Sequence, residues 1–162
     1  MNQEELHEIL KYHKYWLNHD CEGWSMKADL SGVDLSYANL CLADLEGAEL
    51  RGTNLEGANL YKVNLSWADL CGANLSGANL NGANLEGANL TNTNLSGANL
   101  ENAFLTEAYL RGANLTNANL KNAELRGVDF IDEANLEGAN LNGTILEDTN
   151  KKVNKKTNIE RD

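Results

Sequence analysis

Residues 78–97 read Ala78-Asn79-Leu80-Asn81-Gly82, Ala83-Asn84-Leu85-Glu86-Gly87, Ala88-Asn89-Leu90-Thr91-Asn92 and Thr93-Asn94-Leu95-Ser96-Gly97. The period is five, and it excludes a helix. At ~100° per residue a helix turns about 500° per repeat, so the leucines would scatter around its axis. Within each repeat a small residue and a Leu stand two apart with Asn between them. That is the alternation of an extended segment with one buried face. After each Leu come a polar residue and then Gly or Asn, the residue types that accept the positive φ required at the third position of a type II turn. Each repeat is therefore a short extended side followed by a corner.

The same reading extends in both directions. Leu recurs at every fifth position from Leu30 to Leu125, Phe130 takes the same place, and after one inserted residue near Ile131 to Glu133 the series continues through Leu136, Leu141 and Leu146, giving 24 repeats. Gly stands at the corner in 13 repeats and Asn in four, and type II turns are predicted at those 17. At Tyr37, Leu42, Lys62, Trp67, Glu107, Asp132 and Asp148 a positive φ would be strained, so type I or looser corners are predicted there.

The A-(D/N)-L-x-x pattern, as in Ala58-Asn59-Leu60-Tyr61-Lys62 and Ala78-Asn79-Leu80-Asn81-Gly82, resembles the pentapeptide-repeat protein family over residues 28 to 148. The resemblance implies an all-β solenoid, a right-handed four-sided parallel β-helix with four repeats to a coil. Right-handedness agrees with the general rule for parallel crossovers. Six coils at the ~4.8 Å spacing of parallel strands make a rod of roughly 29 Å.

A Leu-lined tube needs covered ends. Leu6, Ile9, Leu10, His13, Trp16 and Leu17 recur at spacings of three, four and seven, which predicts an N-terminal capping α-helix with Asn2 and Glu5 as its N-cap pair. Residues 1–27 are read as that helix and a linker, with Gly23 ending the linker and Trp24 and Met26 packing near the first coil. Residues 28–148 form the repeat domain. Residues 149–162, with Lys151, Lys152, Lys155 and Lys156 around Val153 and Ile159, are read as a basic, mobile tail. A poorly covered last coil, with Phe130, Leu136, Leu141 and Leu146 inside and Ile131 and Ile145 nearby, would favour a homodimer through the C-terminal coil.

Composition narrows the function. The net charge of −11 argues against direct nucleic-acid binding, which needs clustered Lys and Arg, and favours basic protein partners. No apolar stretch approaches the ~20 residues of a membrane span and the N-terminus lacks signal-peptide character, so the chain is read as cytoplasmic. Cys21, Cys41 and Cys71 are an odd number at irregular spacing, which predicts free thiols. His7, His13, His19 and Cys21 lack paired metal-ligand spacing, so no metal is assigned. The carboxylates fall at outward places without a predicted cleft. No catalytic residue and no cofactor is assigned, and the chain is read as a non-enzyme.

With 20 residues to a coil, outward residues sort by side. One side collects Asp44, Glu46, Glu86, Glu107, Glu124, Glu147 and Asp148 against Arg126 alone, and carries Trp67 at a corner and Phe104 where Asn is usual. Asp44, Glu46, Trp67, Glu86, Phe104, Glu107 and Glu124 form the candidate contact patch. The side with Asn39, Asn59, Asn79, Asn99 and Asn119 is nearly uncharged and reads as a structural amide ladder.

The function expected from these features is a non-catalytic protein-binding or scaffolding solenoid whose partner the sequence does not name. The helix could also serve as a docking element. The resemblance implies one alternative, a DNA-mimicking inhibitor of a type II topoisomerase. Residues 28 to 148 carry 17 acids and five bases, a net −12. Duplex DNA of ~29 Å, with one charge per ~1.7 Å, carries about 17.

Overall fold

The computed structural model describes residues 3–18 and 27–146. The chain opens with helix α1, Gln3–Asn18. Glu4 and Glu5 in its first turn complement the helix dipole. Leu6, Ile9 and Leu10 share one face and pack against the core of the solenoid. Asn2, Gly23, Trp24, Met26 and the C-terminal tail lie outside the described residues.

From Lys27 onward the backbone winds so that residues 20 apart pair in parallel, as in Asp29↔Glu49, Asn59↔Asn79 and Tyr109↔Asp129. Each 20-residue coil holds four repeats and so four sides, called first to fourth here in chain order and starting at Asp29, Asp34, Asn39 and Asp44. In the last coil the offset becomes 21, as in Asn114↔Asn135 and Asn119↔Asn140. The extra residue is taken up in a 3₁₀ turn, Ile131–Glu133.

The repeat sequence satisfies all five of its backbone N–H donors. In the repeat around Leu80, Leu80 N–H donates to Asn99 O (2.8 Å), Gly82 N–H to Glu101 O (2.9 Å) and Asn84 N–H to Val63 O (2.9 Å), all between coils, while Ala83 N–H closes the corner onto Leu80 O (3.0 Å). The fifth, Asn81 N–H, faces away from both neighbouring coils and is taken by Asn79 Oδ1 at 3.3 Å. This explains why Asn or Asp precedes the Leu: a short side-chain oxygen is needed to hold the corner amide.

The same Asn amides do a second job, because most Nδ2 groups donate to the Asn or Asp one coil back. The expected ladder runs along the third side through Asn59 to Asn39 (3.0 Å), Asn119 to Asn99 (3.1 Å) and Asn140 to Asn119 (2.9 Å). It is not confined there. The second side has Asn54 to Asp34 and Asn74 to Asn54, the fourth Asn64 to Asp44, the first Asn89 to Asp69. The ladder has a polarity, with the acceptor always on the N-terminal side. A first-coil residue has no preceding coil to donate to, so a carboxylate serves there as well as an amide, and Asp29, Asp34 and Asp44 are all first-coil residues. Backbone N–H donation from Ser31 and Ser36 holds the carboxyls of Asp29 and Asp34 below the usual carboxylate range.

Inside, Leu at the fifth position and Ala, Val or Thr two before it are buried from Ala28 to Leu125 almost without interruption. Each buried Leu contributes on the order of 1.5–3 kcal/mol of transfer free energy before chain entropy is subtracted. The two Thr in this stack are not orphaned: Thr53 Oγ1 donates to Leu30 O (2.7 Å) and Thr93 Oγ1 to Leu70 O (2.8 Å).

Two sequence expectations are corrected. Tyr37, Leu42, Lys62, Trp67 and Glu107 do not relax into type I corners, since their φ values of 51° to 61° place them in the same left-handed conformation as the glycines. Coil-to-coil hydrogen bonds on both flanks fix the corner whatever residue occupies it, and they outweigh a local penalty of roughly 1–2 kcal/mol. Of the two remaining positions, Asp132 lies in the 3₁₀ turn and Asp148 lies outside the described residues. Phe130 does not sit inside the tube. It is 40% exposed at φ 59°, stacked under the Arg111 guanidinium at 4.1 Å, and Ile131 packs against the core beside it. The inserted residue shifts the register just past Phe130 and turns that ring outward.

Candidate protein-interaction surface

The fourth side and the edge where it turns into the first side gather the residues singled out in the sequence. Asp44, Asn64, Asn84, Phe104 and Glu124 bridge in register along the side. Glu46, Ser66, Glu86, Thr106 and Arg126 follow the same 20-residue spacing at the first corner position. Gly47, Trp67, Gly87, Glu107 and Gly127 do so at the second. All seven candidate residues therefore fall on one side and its adjoining edge. Glu147 and Asp148 lie outside the described residues.

Trp67 is 55% exposed and Phe104 51%, as the register requires of residues at outward places. The Trp67 ring lies flat along the edge over the next coil. A Cβ placed on Gly87 would come within 2.7 Å of its Cδ2. Gly87 is thus the floor on which the indole rests, and it is buried beneath it. The same arrangement recurs at Tyr37 over Gly57, Lys62 over Gly82 and Asn117 over Gly138. A non-glycine corner residue leans along the rod axis onto a glycine one coil later.

The carboxylates of this side are not equivalent. Asp44 and Glu46 accept from Asn64 Nδ2 at 2.9 and 3.4 Å, and Glu124 pairs with Arg126 at 3.0 Å. Glu86 and Glu107 have no basic partner among the described residues. Glu86 lies one position before the Gly87 floor, beside the Trp67 ring, while Glu107 stands one coil beyond it and leans onward over Gly127. On the neighbouring first side two of the four acids in the bridging column are matched, Glu49 by Lys27 (3.3 Å) and Asp69 by Arg51 (2.8 Å). The hydrogen bond from Arg51 to Asp69 raises the guanidinium's already high pKa further.

Sequence sorting by side missed two members of this surface. Tyr109, 42% exposed, is on the first side one repeat after Phe104, and Phe130 joins it only because of the register shift. Tyr109 was findable as an aromatic in the Asn place. Phe130 was not, because it stands in the Leu place. Elsewhere, Tyr37 and Leu42 are exposed at corners near the N-terminal end of the rod, where the Tyr37 hydroxyl donates to Glu56 Oε1 at 3.3 Å. Ile145 is exposed on the last coil, while Leu136 and Leu146 are half-buried and Leu141 is buried. Cys41 and Cys71 are free thiols and Cys21 lies outside the described residues. Among the described residues no group of three His, Cys, Asp or Glu could hold a metal ion, and no helix is long and apolar enough to cross a membrane.

Stacked five-residue repeats, parallel pairing every 20 residues, a Leu-filled interior and Asn amide bonds between coils define a β-solenoid repeat protein. The chain belongs to the pentapeptide-repeat family, whose Pentapeptide repeats model matches in eight copies over residues 26–60, 58–97, 93–130 and 131–150. Among solved structures it is similar to HetL of the cyanobacterium Nostoc sp. strain PCC 7120, a pentapeptide repeat protein involved in heterocyst differentiation regulation, at 34% identity over 74% of this chain and 72% of that one (TM-score 0.41). Rfr23 from the cyanobacterium Cyanothece 51142 is 34% identical over 83% of this chain and 93% of that one (TM-score 0.33). A pentapeptide repeat protein of the Arabidopsis thaliana thylakoid lumen is 36% identical over 62% and 70% (TM-score 0.42). No curated protein matches the chain.

Proposed function

We propose that this chain is a non-catalytic, right-handed β-solenoid that binds a protein partner through the edge between its fourth and first sides. The observation that carries this reading is Trp67. It occupies a corner where Gly would be free of strain, at φ 59°, and it is more than half exposed. A large apolar side chain held in a left-handed conformation is disfavoured twice, by the backbone and by hydration, and such outliers collect at functional positions. Glu86 beside it and Glu107 farther along the same edge lack basic partners among the described residues, which gives the complementary partner its chemistry. It is a protein segment presenting Lys or Arg next to an apolar side chain that covers the indole and Phe104.

Mimicry of duplex DNA against a type II topoisomerase is the narrower alternative, and the distribution of charge speaks against it. The third-side column from Asn39 to Asn140 holds no charge at all, whereas a duplex is charged all round.

The test restores the repeat's own residues, Trp67→Gly with Phe104→Asn, changes that relieve strain and should not weaken the fold. The immobilised wild type, this double variant and Tyr37→Gly at a different corner are each exposed to the same lysate. Proteins retained by the wild type and by Tyr37→Gly should be lost from the double variant, and their retention should weaken with salt. An identical set of proteins on all three would overturn the assignment of the edge.

A further inference from the structure

The second feature that the repeat does not explain is His13. It lies on the inner face of α1 among Leu6, Ile9 and Leu10, fully buried against the first coil. Its Nδ1 accepts the backbone N–H of Ala28 at 3.0 Å. An imidazole nitrogen that accepts carries no proton, so the ring is neutral with its proton on Nε2. Ala28 is the first core residue of the solenoid, and its carbonyl receives Glu49 N–H at 2.9 Å. One side chain thus joins the cap to the first rung of the ladder. Among the described residues the charged groups facing the ring are Asp44 and Glu46 from the end of the first coil and Lys27 from the segment leading into it.

We propose that His13 makes the docking of α1 on the first coil pH-dependent: the neutral imidazole holds the helix in place, and protonation releases it and opens the Leu-lined N-terminal end. This goes beyond the binding edge and does not depend on it. Protonated Nδ1 would point an N–H at the N–H of Ala28, replacing a hydrogen bond with two opposed donors in a buried site. Burial pushes the His13 pKa below its ordinary value, and Lys27 adds to the effect. Asp44, the Glu46 carbonyl and the Glu46 carboxylate act in the opposite sense without reversing it. The docked state therefore takes up the proton at lower pH than the released state. Docking is at full strength above the ordinary imidazole pKa of about 6.5. It weakens as pH falls through that value, by up to about tenfold per pH unit, until the lowered pKa of the docked state is reached. Opening exposes the first turn of the Leu stack around Leu30 and Leu45 and the unpaired backbone edge beside it, a surface able to accept another apolar segment.

The experiment is amide hydrogen exchange on the full chain between pH 7.5 and 5.5, corrected for intrinsic rates. Protection of the Ala28 amide should fall by up to about tenfold per pH unit below about 6.5, while that of Leu80 in the middle of the rod stays constant. In His13→Asn, whose Oδ1 takes the place of Nδ1 without titrating, Ala28 protection should not depend on pH. His7→Asn, at an exposed position of the same helix, should keep the wild-type response. A flat wild-type profile, or an equal fall in His13→Asn, would overturn the proposal. Should His13→Asn not fold, the wild type still decides. The His13 ring of the docked protein must titrate below the pH at which Ala28 protection begins to fall, and a midpoint at or above the ordinary imidazole value would refute it.

Discussion

The seat of Trp67 on Gly87 can be measured by a double-mutant cycle. Gly87→Ala introduces two effects. The alanine must adopt φ near +62°, which costs roughly 1–2 kcal/mol, and its Cβ must displace the indole, whose Cδ2 lies 2.7 Å from the new atom. Gly77→Ala isolates the first effect, because its φ is +63° and nothing lies within 4 Å of a Cβ there. The difference between the two variants is therefore the cost of moving the ring. Contacting residues couple by about 0.5–3 kcal/mol, and for a chain of this size each kcal/mol shifts Tm by about 2–4 °C. In a Trp67→Ala background Gly87→Ala should become no worse than Gly77→Ala. Thermal melts by far-UV circular dichroism supply the four values. Equal shifts for Gly87→Ala and Gly77→Ala in the wild-type background would show that the indole does not rest on the glycine, and the geometry of the edge would have to be redrawn.

The polarity of the amide ladder predicts that Asn39→Asp is nearly neutral, within about 0.5 kcal/mol, because its side chain only accepts in the first coil. Asn79→Asp removes a donor to Asn59 in mid-rod and should cost about 1–2 kcal/mol in chemical denaturation, so equal costs would contradict the ladder's direction. Leu80→Lys buries an unpaired charge in a fully buried site and should unfold or aggregate the chain, while Asn81→Lys, on the outside of the same repeat, should melt like the wild type. Comparable melting temperatures would refute the inside and outside assignment.

The five-residue period alone determined that Leu80 and its equivalents face inward, that Asn79 and its equivalents face outward, and that Gly82 and its equivalents turn the corner. Each of these depends only on alternation along an extended chain and on which residues tolerate positive φ, both local properties. The exposure of Trp67 and Phe104 followed from the same register. Only the tertiary structure decided that Tyr37, Leu42, Lys62, Trp67 and Glu107 share the glycine conformation, because hydrogen bonds to the adjoining coil impose it against their own preference. Phe130 turned outward for a related reason: the residue inserted after it is absorbed in a 3₁₀ turn, and where an insertion is absorbed depends on the coil beneath. That Glu86 and Glu107 have no basic partner among the described residues, while Glu49 and Asp69 are matched, depends on which side chains stand 18 to 22 residues away across a coil. The bond from Ala28 to His13 spans 15 residues and two kinds of structure, and the periodicity of neither element contains it. Local chemistry repeats and can be read along the chain; pairing between coils and the seating of the cap arise only when the rod closes on itself.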